Sequence, residues 1–202
     1  TFLENTLNAA PQLLDADITL FDPDNPADYD GGQVKVSYPA GGTHAVAVRN
    51  QGTDAGQVGV SGSDISYGGT VVGTSSLGAV PGRIDFGVSF NASATPAAVE
   101  AVIENLVYSD SSDTPTTSVA LALSVQDGDG GTSATVNDTV TVTPQNDAPL
   151  VTLPGGTVSY IEMGGPVVID GVATVSDPDN PTDFDGGSLT VDLSANGTTS
   201  DR

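Results

Sequence analysis

The chain repeats itself over a long distance. Asp22-Pro-Asp-Asn-Pro26 recurs as Asp177-Pro-Asp-Asn-Pro181, 155 residues later (177 − 22). The match continues from Ala27-Asp-Tyr-Asp-Gly-Gly32 into Thr182-Asp-Phe-Asp-Gly-Gly187, and from Val34-Lys-Val36 into Leu189-Thr-Val191. Upstream, Phe2-Leu-Glu4 matches Tyr160-Ile-Glu162, with a small insertion in the first copy. So long a period means tandem whole domains and not a solenoid of small units. Residues 1–148 are expected to form nearly one repeat lacking its first strand. Residues 149–202 are expected to be the N-terminal third of the next. The proline-bounded linker Pro144-Gln-Asn-Asp-Ala-Pro149 lies between them.

Short strands are the expected building blocks. Val, Thr and Ile are frequent, and 25 Gly and 13 Pro break the chain repeatedly. Apolar residues alternate with polar ones in segments 17–21, 33–38, 45–48, 83–90, 119–125 and 135–143. Ile84, Phe86, Val88 and Phe90 would share one face; Val136, Val140 and Val142 are inward candidates. One segment, about 95–106, reads as a helix: Thr95 can cap it and Pro96 suits its first position. Val99, Val102, Ile103 and Leu106 then follow at helical spacing. The fold class expected is all-β, a Greek-key, immunoglobulin-like sandwich with one short inserted helix.

The charge is −22, from 26 acidic and 4 basic residues (Lys35, Arg49, Arg83, Arg202). Such a chain repels nucleic acid and anionic lipid, which require Lys and Arg to neutralise phosphate. It suits divalent cations. With no Cys, no disulfide can staple a secreted domain, and calcium is a common substitute. No apolar run approaches the ~20 residues of a membrane span. The opening stretch TFLENTLNAAPQLL lacks the basic start of a signal peptide, so export is expected to be directed from elsewhere.

Loop 22–32 carries Asp22, Asp24, Asp28 and Asp30, with Asp15 and Asp17 just upstream. Gathered carboxylates repel, and a hard dication reverses that sign. Calcium accepts six to eight oxygens in a flexible geometry. Asp177, Asp179, Asp183 and Asp185 repeat the pattern. The alternative is a solvated acidic turn, since Asp-Pro and Asp-Gly pairs form turns without metal. Asp127-Gly-Asp-Gly-Gly131, with Asp129, is a second acidic turn, and Asn146-Asp147 lies in the linker.

In order and spacing these motifs resemble bacterial cadherin-like tandem repeats, which occur in very large RTX-type surface adhesins. Gln145-Asn-Asp-Ala-Pro149, Asp127-Gly-Asp-Gly-Gly131 and the Asp22-x-Asp loop carry the resemblance. So do TPAAVEAVIENLVY at 95–108, Ser112-Asp-Thr-Pro115, and RNQGTDAGQVGVS at 49–61. The resemblance covers nearly the whole chain. It implies β-sandwich repeats, calcium at domain junctions and a place on the bacterial cell surface. By the same resemblance Asp127, Asp129, Asn146, Asp147, Glu162, Asp177 and Asp179 would form a junction. Glu4, Asp22 and Asp24 would be its counterpart facing a preceding repeat.

Catalysis finds little support. His44, the single histidine, sits in Gly-Gly-Thr-His-Ala and is expected in a polar surface turn. No thiol nucleophile, HExxH or P-loop is present. The expected function is a calcium-stiffened extracellular repeat of an adhesin or filament. Its partners would be adjacent repeats or neighbouring copies, with residues around 149–160 completing a neighbour's sandwich head-to-tail. The alternative is a calcium-dependent adhesion module gripping a surface glycan or protein through loops such as 50–56 or 68–82.

Overall fold

Apolar alternation becomes a ladder in the first half of the chain. Val34, Val36 and Tyr38 of β3 (Gln33–Pro39) face inward, opposite Val88, Phe86 and Ile84 of β8 (Arg83–Phe90). On the other side of β3, Val34 and Val36 lie opposite Val125 and Leu123 of β10 (Ser118–Gln126). Cross-strand apolar pairs of this kind are the unit of sheet stabilisation. They explain why these segments form strands although Gly and Ser flank them.

The computed structural model describes residues 1–24, 27–179 and 181–192. Residues 193–202, and 25, 26 and 180 of the two acidic loops, lie outside the described residues. Two compact units are present, Thr1–Gln145 and Asn146–Arg202. Among the described residues the chain is all-β apart from two short helices, α1 (Glu4–Ala9) and α2 (Pro96–Glu104).

In the first unit an eight-stranded sheet contains β1 (Phe2–Leu3), β3, β5 (Val58–Ser61), β6 (Asp64–Tyr67), β7 (Thr70–Val80), β8, β10 and β11 (Val136–Thr143). Its order is β1-β11-β10-β3-β8-β7-β6-β5. All neighbours are antiparallel except β1 with β11, which pair only through Phe2–Val142 and Leu3–Thr143. A three-stranded sheet, β2 (Gln12–Leu13), β9 (Leu106–Ser109) and β4 (Ala45–Val48), has β9 at its centre. Both sheets and α2 contribute to one core, which includes Val36, Val46, Val88, Val102, Leu106 and Leu121. The second unit contains a two-stranded antiparallel sheet, β12 (Leu150–Thr152) and β13 (Thr174–Ser176).

Helix α2 starts where its cap predicts, with the Thr95 hydroxyl accepting from the Ala98 N–H at 3.2 Å. It ends two residues before the predicted limit. Asn105 donates its side-chain amide to Ala101 O at 2.8 Å and accepts from Arg49 Nε at 3.0 Å, and Leu106 then opens β9. Helix α1 is an addition to the expected single helix. Six residues without a side-chain cap give little local signal; burial of Leu7 and Glu4 holds it in place.

Three expectations are corrected. Residues 17–21 alternate but belong to no strand. Residues 68–82, read as a loop, contain the eleven-residue strand β7, which pairs along β8 from Gly73–Phe90 to Val80–Arg83. Its Gly and Ser hide a strand that the meander dictates. His44 is buried rather than exposed. Its ring stacks on Tyr108 at 6.1 Å and meets Tyr38 edge-on at 5.8 Å. Its Nε2 lies 3.0 Å from Pro39 O, which requires the Nε2–H tautomer.

Tyr108 is the centre of that stack, with Phe2 on its other side at 6.5 Å. Its hydroxyl is buried without a hydrogen-bond partner among the described residues. Burial, and secondarily the charge of Asp110, hold the phenol well above its ordinary pKa. An unsatisfied buried hydroxyl costs about 1–3 kcal/mol. Tyr108→Phe is therefore expected to stabilise the protein by about 1 kcal/mol, a rise in melting temperature of about 3 °C by thermal denaturation. A fall of that size would mean that the hydroxyl has a partner.

Candidate metal centre

Loop 22–32 is shaped first by its own side chains. Asp22 Oδ1 accepts from the Asp24 N–H at 2.9 Å, and Asp28 Oδ1 accepts from the Asp30 N–H at 2.8 Å. Both are Asx turns, in which a short acidic side chain mimics a backbone turn. Gly31 then takes φ +83°, where a β-carbon would be strained, and the Gly32 N–H closes onto Tyr29 O at 2.9 Å. The end of the loop is tied to β8: Gly31 N–H donates to Phe90 O at 3.2 Å, and Phe90 N–H donates to Gly32 O at 2.9 Å.

The turn between β10 and β11 meets this loop directly. Asp127 Oδ1 accepts from the Gly131 N–H at 2.7 Å, and Gly128 N–H donates to Asp28 O at 2.7 Å. The approach leaves no room for side chains. A β-carbon on Gly32 would stand 2.4 Å from Gln126 O, and one on Gly128 would stand 2.6 Å from Asp30 O. Two glycines 96 residues apart (128 − 32) thus let two acidic loops abut.

The outcome is a cluster. Asp22, Asp24 and Asp127 each present a carboxylate oxygen within 4.8 Å of the others. They line a recess of about 310 Å³ together with Leu20, Tyr29 and Val125. Tyr29 is only 2% exposed. Burial first, then the charges of Asp22, Asp127 and Glu100, push its phenol above the ordinary range. Among the described residues the one ion pair is Arg83–Asp85, at 2.8 Å, so no Lys or Arg among them pairs with the cluster. At this spacing each carboxylate pair repels by about 1 kcal/mol in water and several times that when partly buried. Asp22 Oδ2 is buried and has no hydrogen-bond partner among the described residues. An oxygen-only donor set with an orphaned carboxylate oxygen could hold a hard cation.

The predicted ligands fall into distinct groups. Asp22, Asp24 and Asp127 come together; the resemblance had set Asp127 against the following repeat, and its carboxylate here faces Asp22 within the first unit. Asp28 and Asp30 are exposed and serve the turn. Asp129 is exposed and does not join the cluster. Glu4 is buried elsewhere, its Oε2 accepting from the Gln145 N–H at 2.8 Å. Asp15 and Asp17 neighbour each other, and the hydrogen bond shared with Asp15, then its charge, raise the pKa of Asp17.

The second loop has the same internal bonds. Asp179 N–H donates to Asp177 Oδ1 at 3.0 Å, Asp185 N–H to Asp183 Oδ1 at 2.7 Å, and Gly187 N–H to Phe184 O at 3.0 Å. Gly186 has φ +77°. In the linker segment, Asn146 Nδ2 donates to Asp147 O at 2.8 Å and Asp147 N–H donates to Asp179 Oδ2 at 3.0 Å. Glu162 is exposed. Among the described residues Asp177, Asp179, Asp183, Asp185 and Glu162 do not gather into a group of three carboxylates. Phe184, the counterpart of buried Tyr29, is 47% exposed.

Sequence reasoning did not single out Tyr29 for the site, nor the close approach of Gly32 and Gly128 to the opposite loops. The two glycines are visible in the Asp-Gly-Gly and Asp-Gly-Asp strings, but nothing in the sequence says that their loops touch. Comparison of the chain with protein-family models, curated proteins and solved structures returns no match.

Proposed function

We propose that the chain is a calcium-stiffened structural repeat of a large extracellular bacterial adhesin or filament, cadherin-like in its sandwich and structural rather than catalytic. The observation that carries this reading is the convergence of Asp22, Asp24 and Asp127, with Asp22 Oδ2 buried and without a partner among the described residues. Such a site is a liability without a cation and a clamp with one. It would fix loop 22–32 to the β10–β11 turn, two elements far apart in sequence. Recurrence of the same Asp-to-backbone bonds at 177–179 and 183–185 supports a modular role. The extracellular setting rests on the resemblance alone.

Calorimetric titration with calcium tests the reading. The native chain is expected to bind calcium with saturation. Asp127→Ala is expected to weaken the first-unit site roughly tenfold or more, since charge count sets calcium affinity. Absence of saturable binding by the native chain would sink the proposal.

A further inference from the structure

Helix α2 carries its two acidic residues where helix physics disfavours them. Glu100 and Glu104 stand at i and i+4 on one side of the helix, and like charges at that spacing repel. Glu104 also lies in the last turn, where the backbone carbonyls concentrate negative charge and favour a cation. No basic residue occupies that turn. Both carboxylates are partly buried, and neither forms an ion pair among the described residues.

A guanidinium faces the same recess without pairing with them. Arg49 is fixed from behind: its backbone N–H donates to Asn105 O at 2.8 Å, and its Nε donates to Asn105 Oδ1 at 3.0 Å. Asn105 is only 6% exposed and is itself held by Ala101 O at 2.8 Å, so a buried side chain aims the guanidinium. The terminal nitrogens of Arg49 have no partner among the described residues. Arg49, Glu100 and Glu104 line one recess of about 350 Å³, with Tyr67, Leu13 and Ala101 among its other walls. That volume falls within the roughly 300–1,000 Å³ of small-molecule clefts.

The charges name the ligand class. The recess offers one cationic fork, which suits a carboxylate, and two carboxylates, which suit ammonium groups. Its complement carries one carboxylate and two amino groups on a short aliphatic body that Leu13 and Ala101 can cover. A neutral sugar would leave all three charges unmatched, and an acidic sugar would set its carboxylate against two others. We infer that this recess binds a small diamino monocarboxylic acid, the chemistry of free lysine, with its carboxylate on Arg49 and its amino groups on Glu100 and Glu104. The site lies wholly within the first unit, and the inference goes beyond the calcium reading and stands without it. The charge of Glu100 also reaches Tyr29 of the metal recess, so Glu104 is the cleaner residue to substitute.

Calorimetric titration of the full chain with L-lysine, in chelator, tests the site. Saturable binding is expected. L-lysinamide lacks the carboxylate and L-norleucine lacks the second amino group; each is expected to bind weaker by roughly tenfold or more. Lysinamide carries the higher positive charge, so mere attraction to an acidic surface would rank it above lysine. Glu104→Gln is expected to cut lysine affinity roughly tenfold and yet to melt no lower than the native chain, because it relieves the repulsion with Glu100 and with the helix terminus. Arg49→Lys keeps the charge but not the fork, so it should weaken lysine and leave lysinamide unchanged. No saturable binding of lysine, lysinamide binding as tightly as lysine, or Glu104→Gln binding lysine as the native chain does would overturn the inference. Lysine binding in a chain that takes up no calcium would overturn only the metal reading.

Discussion

In chelator, Asp22→Asn is expected to melt above the native chain; in saturating calcium it is expected to melt below it. The change of sign follows from the cluster. Asn keeps a side-chain oxygen for the Asp24 N–H, so the turn at 2.9 Å survives. It removes one of three carboxylates that lie within 4.8 Å of one another. Relief of two repulsions at about 1 kcal/mol each should raise the metal-free midpoint by about 5 °C. Calcium bound as proposed, at a hundred times its dissociation constant, should stabilise the native fold by about 2.7 kcal/mol, a rise of about 10 °C in a unit of this size. The variant forfeits most of that rise. Asp177→Asn is the internal comparison. Its loop has the same local bonds but no counterpart of the Asp127 turn among the described residues of its own unit, so a smaller effect is expected. Scanning calorimetry of both variants with and without calcium reads all of these. If Asp22→Asn melts below the native chain in chelator as well, the carboxylates are not in mutual repulsion and the metal reading fails.

What could be read from the sequence divides along a physical line. Local devices were legible: Thr95 and Pro96 mark the start of α2, and the Asp and Gly spacing of loop 22–32 specifies turns that form identically in both copies. Strands with strict alternation, such as β3 and β8, were also legible, because one face must be buried. Non-local features were not. β7 is rich in Gly and Ser and forms only because β6 and β8 flank it. Residues 19–21 alternate like a strand and find no backbone partner among the described residues. His44 sits in a polar string, yet Tyr38 and Tyr108 fold over it. Asp127 was a candidate ligand, but its partners Asp22 and Asp24 are ~100 residues away and no local pattern names them. Tyr29 and Phe184 make the point within one motif. Equivalent positions in equivalent turns are 2% and 47% exposed, so the loop conformation is encoded locally and its burial is not.

The glycines separate those two kinds of information by experiment. Gly32→Ala is expected to cost about 3 kcal/mol, a fall in midpoint of about 10 °C. The added carbon would lie 2.4 Å from Gln126 O and 2.8 Å from the Asp127 carbonyl carbon. Both are backbone atoms, so no rotamer change relieves the clash. Gly32 cannot retreat cheaply either, because its N–H is held by Tyr29 O and its O by the Phe90 N–H. The loops must part, which moves Asp22 and Asp24 away from Asp127. The calcium-induced rise in midpoint should therefore shrink along with the stability. Gly187→Ala makes the same change in the same string, yet the nearest atom to its new carbon is Phe184 O at 3.1 Å, within its own turn. There a shift of a few tenths of an ångström is enough, and the loss of unfolded-chain entropy acts in the opposite direction. Its expected effect is under about 1 kcal/mol. Equal costs for the two substitutions would mean that the glycine serves only its local turn; a large cost confined to Gly32→Ala, with weakened calcium response, identifies the contact between loops as what assembles the cluster.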